Sequence, residues 1–192
     1  MFEPTVFGAT FVAVLLAEVG DKTQVMTLVL AARNRAILPV FVGSVLGEVS
    51  ANSIAVAIGT FLGIAIPLNI VSLVAGAVFI IFGILTIVKN EEKHEEVPQA
   101  KTKSILLSAF YLIFLAEMGD KSQIIALGLS AQYQNPITVL AGLALGFMAI
   151  SSVAVLLGER TSKILPMKWI KIASGVLFMI FGILFIAGIN FI

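Results

Sequence analysis

The sequence predicts an all-α polytopic membrane protein, with six transmembrane helices as two inverted three-helix repeats. Three observations carry that prediction. Hydrophobic residues make up 59% of the 192 and charged residues only 12%, against about 25% charged in soluble domains. Six apolar runs are each long enough to cross the roughly 30 Å hydrocarbon layer as a helix. The second half of the chain also repeats the first at an ungapped offset of 99 residues.

The runs span 5–31, 37–62, 67–89, 104–131, 136–158 and 168–190. Between the third and fourth lies the only markedly polar stretch, Lys89 to Lys103. The organisation expected is a first three-helix repeat at 1–89, a cytoplasmic linker at 90–103 and a second, inverted repeat at 104–192. The offset aligns Glu18 with Glu117, Asp21 with Asp120, Gly43 with Gly142, Gly47 with Gly146 and Gly76 with Gly175. It carries on to align Phe82-Gly83-Ile84-Leu85 with Phe181-Gly182-Ile183-Leu184. One offset holding over three runs indicates duplication. Three spans per copy is an odd number, so the second copy enters the membrane from the opposite side, the plan of many secondary transporters.

The basic residues orient the molecule. Arg33 and Arg35 follow the first run, and Lys89, Lys93, Lys101 and Lys103 lie in or beside the linker. Arg160, Lys163, Lys168 and Lys171 lie between the fifth and sixth runs. With six spans these connections share one side, and the other side has no Lys or Arg. The positive-inside rule makes the basic side cytoplasmic and puts both termini outside. The expected location is the cell membrane. Met1-Phe2-Glu3-Pro4 has no basic leader region, so no cleaved signal peptide is expected.

Each half carries one charged motif inside its first apolar run. These are Ala17-Glu18-Val19-Gly20-Asp21-Lys22-Thr23-Gln24 and Ala116-Glu117-Met118-Gly119-Asp120-Lys121-Ser122-Gln123. On an unbroken helix, Glu18 and Asp21 share a face and Lys22 lies within pairing reach of Glu18. The same holds for Glu117, Asp120 and Lys121. Three such charges cost roughly 8–10 kcal/mol at mid-membrane, and some fifteen apolar neighbours return roughly 5–9. Runs one and four are therefore marginal alone and need each other, or water, around the motif.

Intramembrane acids mark ion and proton pathways. The plain alternative, a salt-bridge cluster that only fixes helix packing, explains a doubled motif poorly. The four carboxylates and two lysines sum to −2 when ionised. One divalent cation neutralises that, and so do protons. The donors on offer are the carboxylates of Glu18, Asp21, Glu117 and Asp120, the hydroxyls of Thr23 and Ser122, and the amides of Gln24 and Gln123. All are oxygen ligands, suited to Ca²⁺, Mn²⁺ or Mg²⁺ and unsuited to Cu⁺. Gly20 and Gly119 permit close helix approach or local unwinding.

Supporting candidates lie on runs two and five. Gly43-x-x-x-Gly47 and Gly142-x-x-x-Gly146 read as packing faces. Asn52, Ser53, Ser151 and Ser152 read equally as added ligands or as helix bridges. Glu48 breaks the repeat, since its counterpart is Phe147; it reads as a proton relay or as an acid beside an aqueous vestibule. The Phe-rich runs three and six read as lipid-facing or packing walls. His94 sits among linker acids and reads as solvated. There is no cysteine, which excludes disulfides and thiolate chemistry. No nucleophile–base pair or phosphate loop is present, so neither an enzyme nor a cofactor is expected, and nothing points to nucleic acid.

The doubled Glu-x-Gly-Asp-Lys-[Thr/Ser]-Gln motif, one copy per half, resembles the transmembrane protein 165 family over essentially the whole chain. That family includes Golgi calcium and manganese cation/proton exchangers and bacterial manganese exporters. The resemblance implies that Glu18, Asp21, Glu117 and Asp120 coordinate and move the ion, with Thr23, Gln24, Ser122 and Gln123 beside them. The short linker resembles the compact prokaryotic form, which favours manganese efflux. The expected function is Mn²⁺:proton antiport, with Ca²⁺ as the other candidate ion. The alternatives are export of a small cationic solute such as a basic amino acid, or a non-transporting scaffold. The expected partners are the ion, protons and the bilayer, and a homo-oligomer is compatible with the glycine faces.

Overall fold

A computed structural model describes residues 2–88, 104–157 and 167–188. The linker 90–103 with His94, and the basic residues Arg160 and Lys163, lie outside the described residues. Among those described, every regular element is a helix. They are α1 (Pro4–Glu18), α2 (Lys22–Asn34), α3 (Ile37–Ala65), α4 (Leu68–Val88), α5 (Ile105–Glu117), α6 (Lys121–Tyr133), α7 (Pro136–Leu157) and α8 (Met167–Ile186).

The first and fourth apolar runs are broken, so of the two roles open to Gly20 and Gly119, close approach or local unwinding, the chain takes unwinding. α1 stops at Glu18, and the chain bends by 70° before α2. α5 stops at Glu117 and α6 begins at Lys121. The cause is local. Gly20 and Gly119 take φ values of 76° and 82°, in the left-handed region where a Cβ is costly. The next residue, Asp21 or Asp120, is extended at the N-cap of the new helix. Glu18 and Asp21 therefore do not share a helical face, and the expected pairing of Glu18 with Lys22 is lost with it.

Among the described residues, three helices, α3, α4 and α7, are long and apolar enough to cross a membrane, and α1 with α2 makes a fourth if taken as one broken span. α5 and the stretch Gly175–Ile186 are shorter apolar helices. Lipid tails are as apolar as leucine, so hydrophobicity alone does not pull such helices together; close packing of small residues does. The glycines carry it here. A methyl on Gly43 would fall 2.9 Å from Ala109 Cβ of α5, and one on Gly142 would fall 2.8 Å from Thr10 Cβ of α1. Gly76 and Gly182 meet backbone to backbone between α4 and α8, with 2.6 Å to the opposing carbonyl for a methyl on either.

These contacts follow the repeat. Residues at the offset of 99 exchange partners, so that α3 packs on α5 as α7 packs on α1, while α4 packs on α8. Phe79 of α4 meets Phe178 edge-on at 6.1 Å and Phe185 at 5.5 Å, the arrangement that ring quadrupoles prefer. On the other side of α4, Leu73, Val74, Ile81 and Leu85 are exposed. The Phe-rich α4 thus serves as packing wall on one face and apolar surface on the other.

Candidate cation site

The two helix breaks bring the motifs together. α1 and α5 end on Glu18 and Glu117, which are 1% and 0% exposed. A helix C-terminus carries partial negative charge and suits a cation. α2 and α6 start from Asp21 and Asp120, and neither aspartate side chain caps its own helix. An N-cap Asp ordinarily accepts an N–H from the first turn, worth about 1 kcal/mol. Neither aspartate makes that cap here, although the Lys121 amide also acts on the Asp120 carboxylate.

The breaks are held by the motif itself. Gly20 N–H donates to Gln24 Oε1 at 2.5 Å and Gly119 N–H to Gln123 Oε1 at 2.9 Å. Asp21 N–H donates to Glu18 O at 3.0 Å and Asp120 N–H to Glu117 O at 3.1 Å. The glutamine carbonyls proposed as ligands are thus engaged in holding the turns. The Gln123 amide donates on to Ala51 O of α3 at 2.8 Å. Thr23 and Ser122 donate to the glutamates, Thr23 to Glu18 Oε2 at 3.3 Å and Ser122 to Glu117 Oε2 at 2.6 Å.

The carboxylates converge across the halves. One oxygen each from Glu18, Glu117 and Asp120 lies within 4.8 Å of the others. The lysines cross over. Lys121 pairs with Asp21, and Lys22 lies 3.9 Å from Asp120. Buried oxygens without a hydrogen-bond partner include Glu18 Oε1, Asp21 Oδ2, Glu117 Oε1, Asp120 Oδ2 and Asn52 Oδ1. Unsatisfied buried acceptors are costly. The three acids that converge offer oxygen donors of the kind a hard cation takes.

The supporting candidates divide. Asn52 Nδ2 donates to Ser122 Oγ at 3.3 Å and to Glu48 O at 3.0 Å, which puts Asn52 beside the cluster. Ser53 and Ser152 donate to carbonyls of their own helices, those of Val49 and Met148. Ser151 donates to both oxygens of Glu48, at 3.1 Å each. Glu48 is buried but is not one of the three converging acids. An apolar cleft lined by Leu62, Val71, Phe79 and Leu127, among others, reaches none of these groups.

Comparison with known proteins bears on this arrangement. Residues 6–94 and 105–189 match the profile of the family described as divalent cation/proton antiporter GDT1. A "putative manganese exporter" of Vibrio cholerae is 27% identical over 93% of this chain and 89% of its own length. A GDT1-like protein of Schizosaccharomyces pombe is 27% identical over 93% of this chain and 88% of its own. The chloroplastic protein PAM71 of Arabidopsis thaliana is 30% identical over 95% of this chain, which spans 57% of that protein. No solved structure matches.

Proposed function

The chain belongs to the divalent cation/proton antiporter GDT1 family, and from that premise we propose that it exports Mn²⁺ from the cytoplasm in exchange for protons. Ca²⁺ is the second candidate ion. One observation carries the reading: every motif carboxylate has a buried oxygen without a hydrogen-bond partner. A divalent ion satisfies several such oxygens at once. A proton on one carboxyl supplies a donor to a neighbouring orphan acceptor. The cluster is thus suited to hold either metal or protons, which is the exchange condition of an antiporter. The oxygen-only donor set supports Mn²⁺ or Ca²⁺, and the likeness to the Vibrio cholerae protein supports manganese and efflux.

The proposed ligands are Glu18, Asp21, Glu117 and Asp120, with the hydroxyls of Thr23 and Ser122 behind the glutamates and Gln24 and Gln123 fixing the turns. The proposed architecture has six spans. The α1–α2 and α5–α6 pairs count as one broken span each, and α3, α4, α7 and α8 complete the set. They form inverted repeats at 1–89 and 104–192. The exchange of partners at the offset supports this. Basic loops face the cytoplasm and both termini face out, in the cell membrane. The halves then rock about the motifs to alternate access.

The test uses purified protein in liposomes with a trapped pH dye. Under an imposed proton gradient, Mn²⁺ or Ca²⁺ is expected to drive a pH change that Glu18→Gln abolishes. A response to lysine alone would replace the reading with export of a cationic solute. No response from folded protein would leave either a carrier coupled electrically or to sodium, or a scaffold.

A further inference from the structure

The motif is symmetric in sequence and asymmetric in use. Glu18, Glu117 and Asp120 form the converging trio. Asp21, the counterpart of Asp120 at the offset of 99, is not part of it. Lys121 holds it instead, with its ammonium on Asp21 Oδ1. The counterpart pair is slack: Lys22 stands 3.9 Å from Asp120, and its side chain is 53% exposed against 20% for Lys121. Each lysine thus has its ion-pair contact with the aspartate of the other half, close for Lys121 and long for Lys22, while the Lys121 charge also acts on Glu18 and Asp120.

An ammonium and a divalent ion are rival cations for one carboxylate. In a poorly screened interior their mutual repulsion is large. An aspartate held by lysine is discouraged from joining the ion, and one released from lysine is free to do so. Glu18 and Glu117 make no ion pair within 4 Å among the described residues. Each is bonded by a hydroxyl of its own half.

We infer that Lys121 and Lys22 are alternating positioning residues. Lys121 here withdraws Asp21 from the ion seat and leaves Asp120 in it; in the opposite state Lys22 withdraws Asp120 and Asp21 takes its place. The inference rests on the antiporter reading and adds to it which ligand changes during transport. Because Asp21 heads α2 and Asp120 heads α6, the exchange passes the ion's third carboxylate from one half-helix to the other. The two glutamates stay common to both states.

The experiment compares full-length wild type with Lys121→Met, Lys22→Met and the charge-preserving Lys121→Arg. Mn²⁺ binding is measured on purified protein, and Mn²⁺- or Ca²⁺-driven proton flux is measured in liposomes. Both methionine variants are expected to bind Mn²⁺ at least as tightly as wild type, since a rival cation is gone. Their exchange is expected to fall by about tenfold or more, the scale of a lost coupling between states. Lys121→Arg keeps exchange. Wild-type exchange rates in either methionine variant overturn the inference and leave the antiporter standing. Binding and flux that fall in parallel also overturn it, because they mark a merely structural or electrostatic role. Wild-type protein that neither binds nor exchanges Mn²⁺ or Ca²⁺ overturns the antiporter reading and the inference together.

Discussion

The backbone amide of Gly20 donates to the side chain of Gln24 at 2.5 Å, closing the turn that separates α1 from α2. The repeat closes its turn the same way, Gly119 to Gln123 at 2.9 Å. This small ring of atoms keeps Glu18 and Asp21 off a common helical face, so that Glu18 meets the acids of the other half while Asp21 meets Lys121.

The turn needs a left-handed residue at Gly119, where φ is 82° and no atom lies within 4 Å of an added Cβ. The cost of Gly119→Ala is thus conformational alone, about 1–2 kcal/mol. Gly119→Asn is expected to cost less, since Asn tolerates that region. Thermal unfolding in detergent orders the three proteins, with wild type highest and the alanine variant lowest. The reverse order of the two variants would show the turn to be looser than described.

The two hydroxyl–glutamate bonds are unequal. Ser122 lies 2.6 Å from Glu117, and Thr23 lies 3.3 Å from Glu18. The first is within the normal O–H···O range and the second beyond it. Ser122→Ala also removes an acceptor of the Asn52 amide. It is expected to destabilise by about 2 kcal/mol, and Thr23→Ala by less than half of that. Equal losses in chemical denaturation would contradict the geometry.

Metal should stabilise the folded protein. At about one hundred times its dissociation constant, a bound ion adds about 2.7 kcal/mol. A rise in melting temperature with Mn²⁺ is therefore expected for wild type and is lost in Glu117→Gln. Glu48→Gln is the contrast. Glu48 is paired with Ser151 and lies outside the converging trio, reaching it only through the charge of Glu117, so its variant is expected to change Mn²⁺ affinity far less than Glu117→Gln does. A Glu48 variant that loses binding would move that acid into the site.

Packing between α4 and α8 offers a test remote from the ion. Gly76→Ala sets a methyl 2.6 Å from the Gly182 carbonyl, which is backbone and moves only with its helix. Overpacking of this kind costs about 1–3 kcal/mol. Gly8→Ala meets nothing within 4 Å, and it gains roughly 1 kcal/mol of helix propensity. Melting temperatures should move in opposite directions.

Much of this was legible in the residues. Composition and apolar run length give helices, and the offset of 99 gives pairs of equivalent positions. The doubled acids locate the cluster, because buried charge in an apolar run requires a purpose. The helix breaks were harder to read. Hydropathy averages over a window and passes through Gly20 without a signal. Yet Gly20-Asp21-Lys22-Thr23-Gln24 spells a helix stop, an N-cap and a glutamine three residues on, much as a capping box does. That local signal predicts a new helix at Lys22, and it recurs at Lys121. Lysine pairing across the halves was not legible at all. It depends on two breaks facing each other, a fact of tertiary structure with no trace at i, i+4 spacing. The positions of Asn52 beside Ser122 and of Ser151 on Glu48 likewise depend on how α3 and α7 pass the motifs.

α1 finds its main partner in α7, over a hundred residues further along the chain, and α3 finds its own in α5. Neither half holds a complete interior. As the protein is synthesised, the first helix leaves the ribosome with Glu18 at its end and no companion for it. That acid must wait in water, or in the insertion machinery, until the second copy arrives. A chain cut after α4 therefore lacks the partners of both α1 and α3, and the acids that meet Glu18.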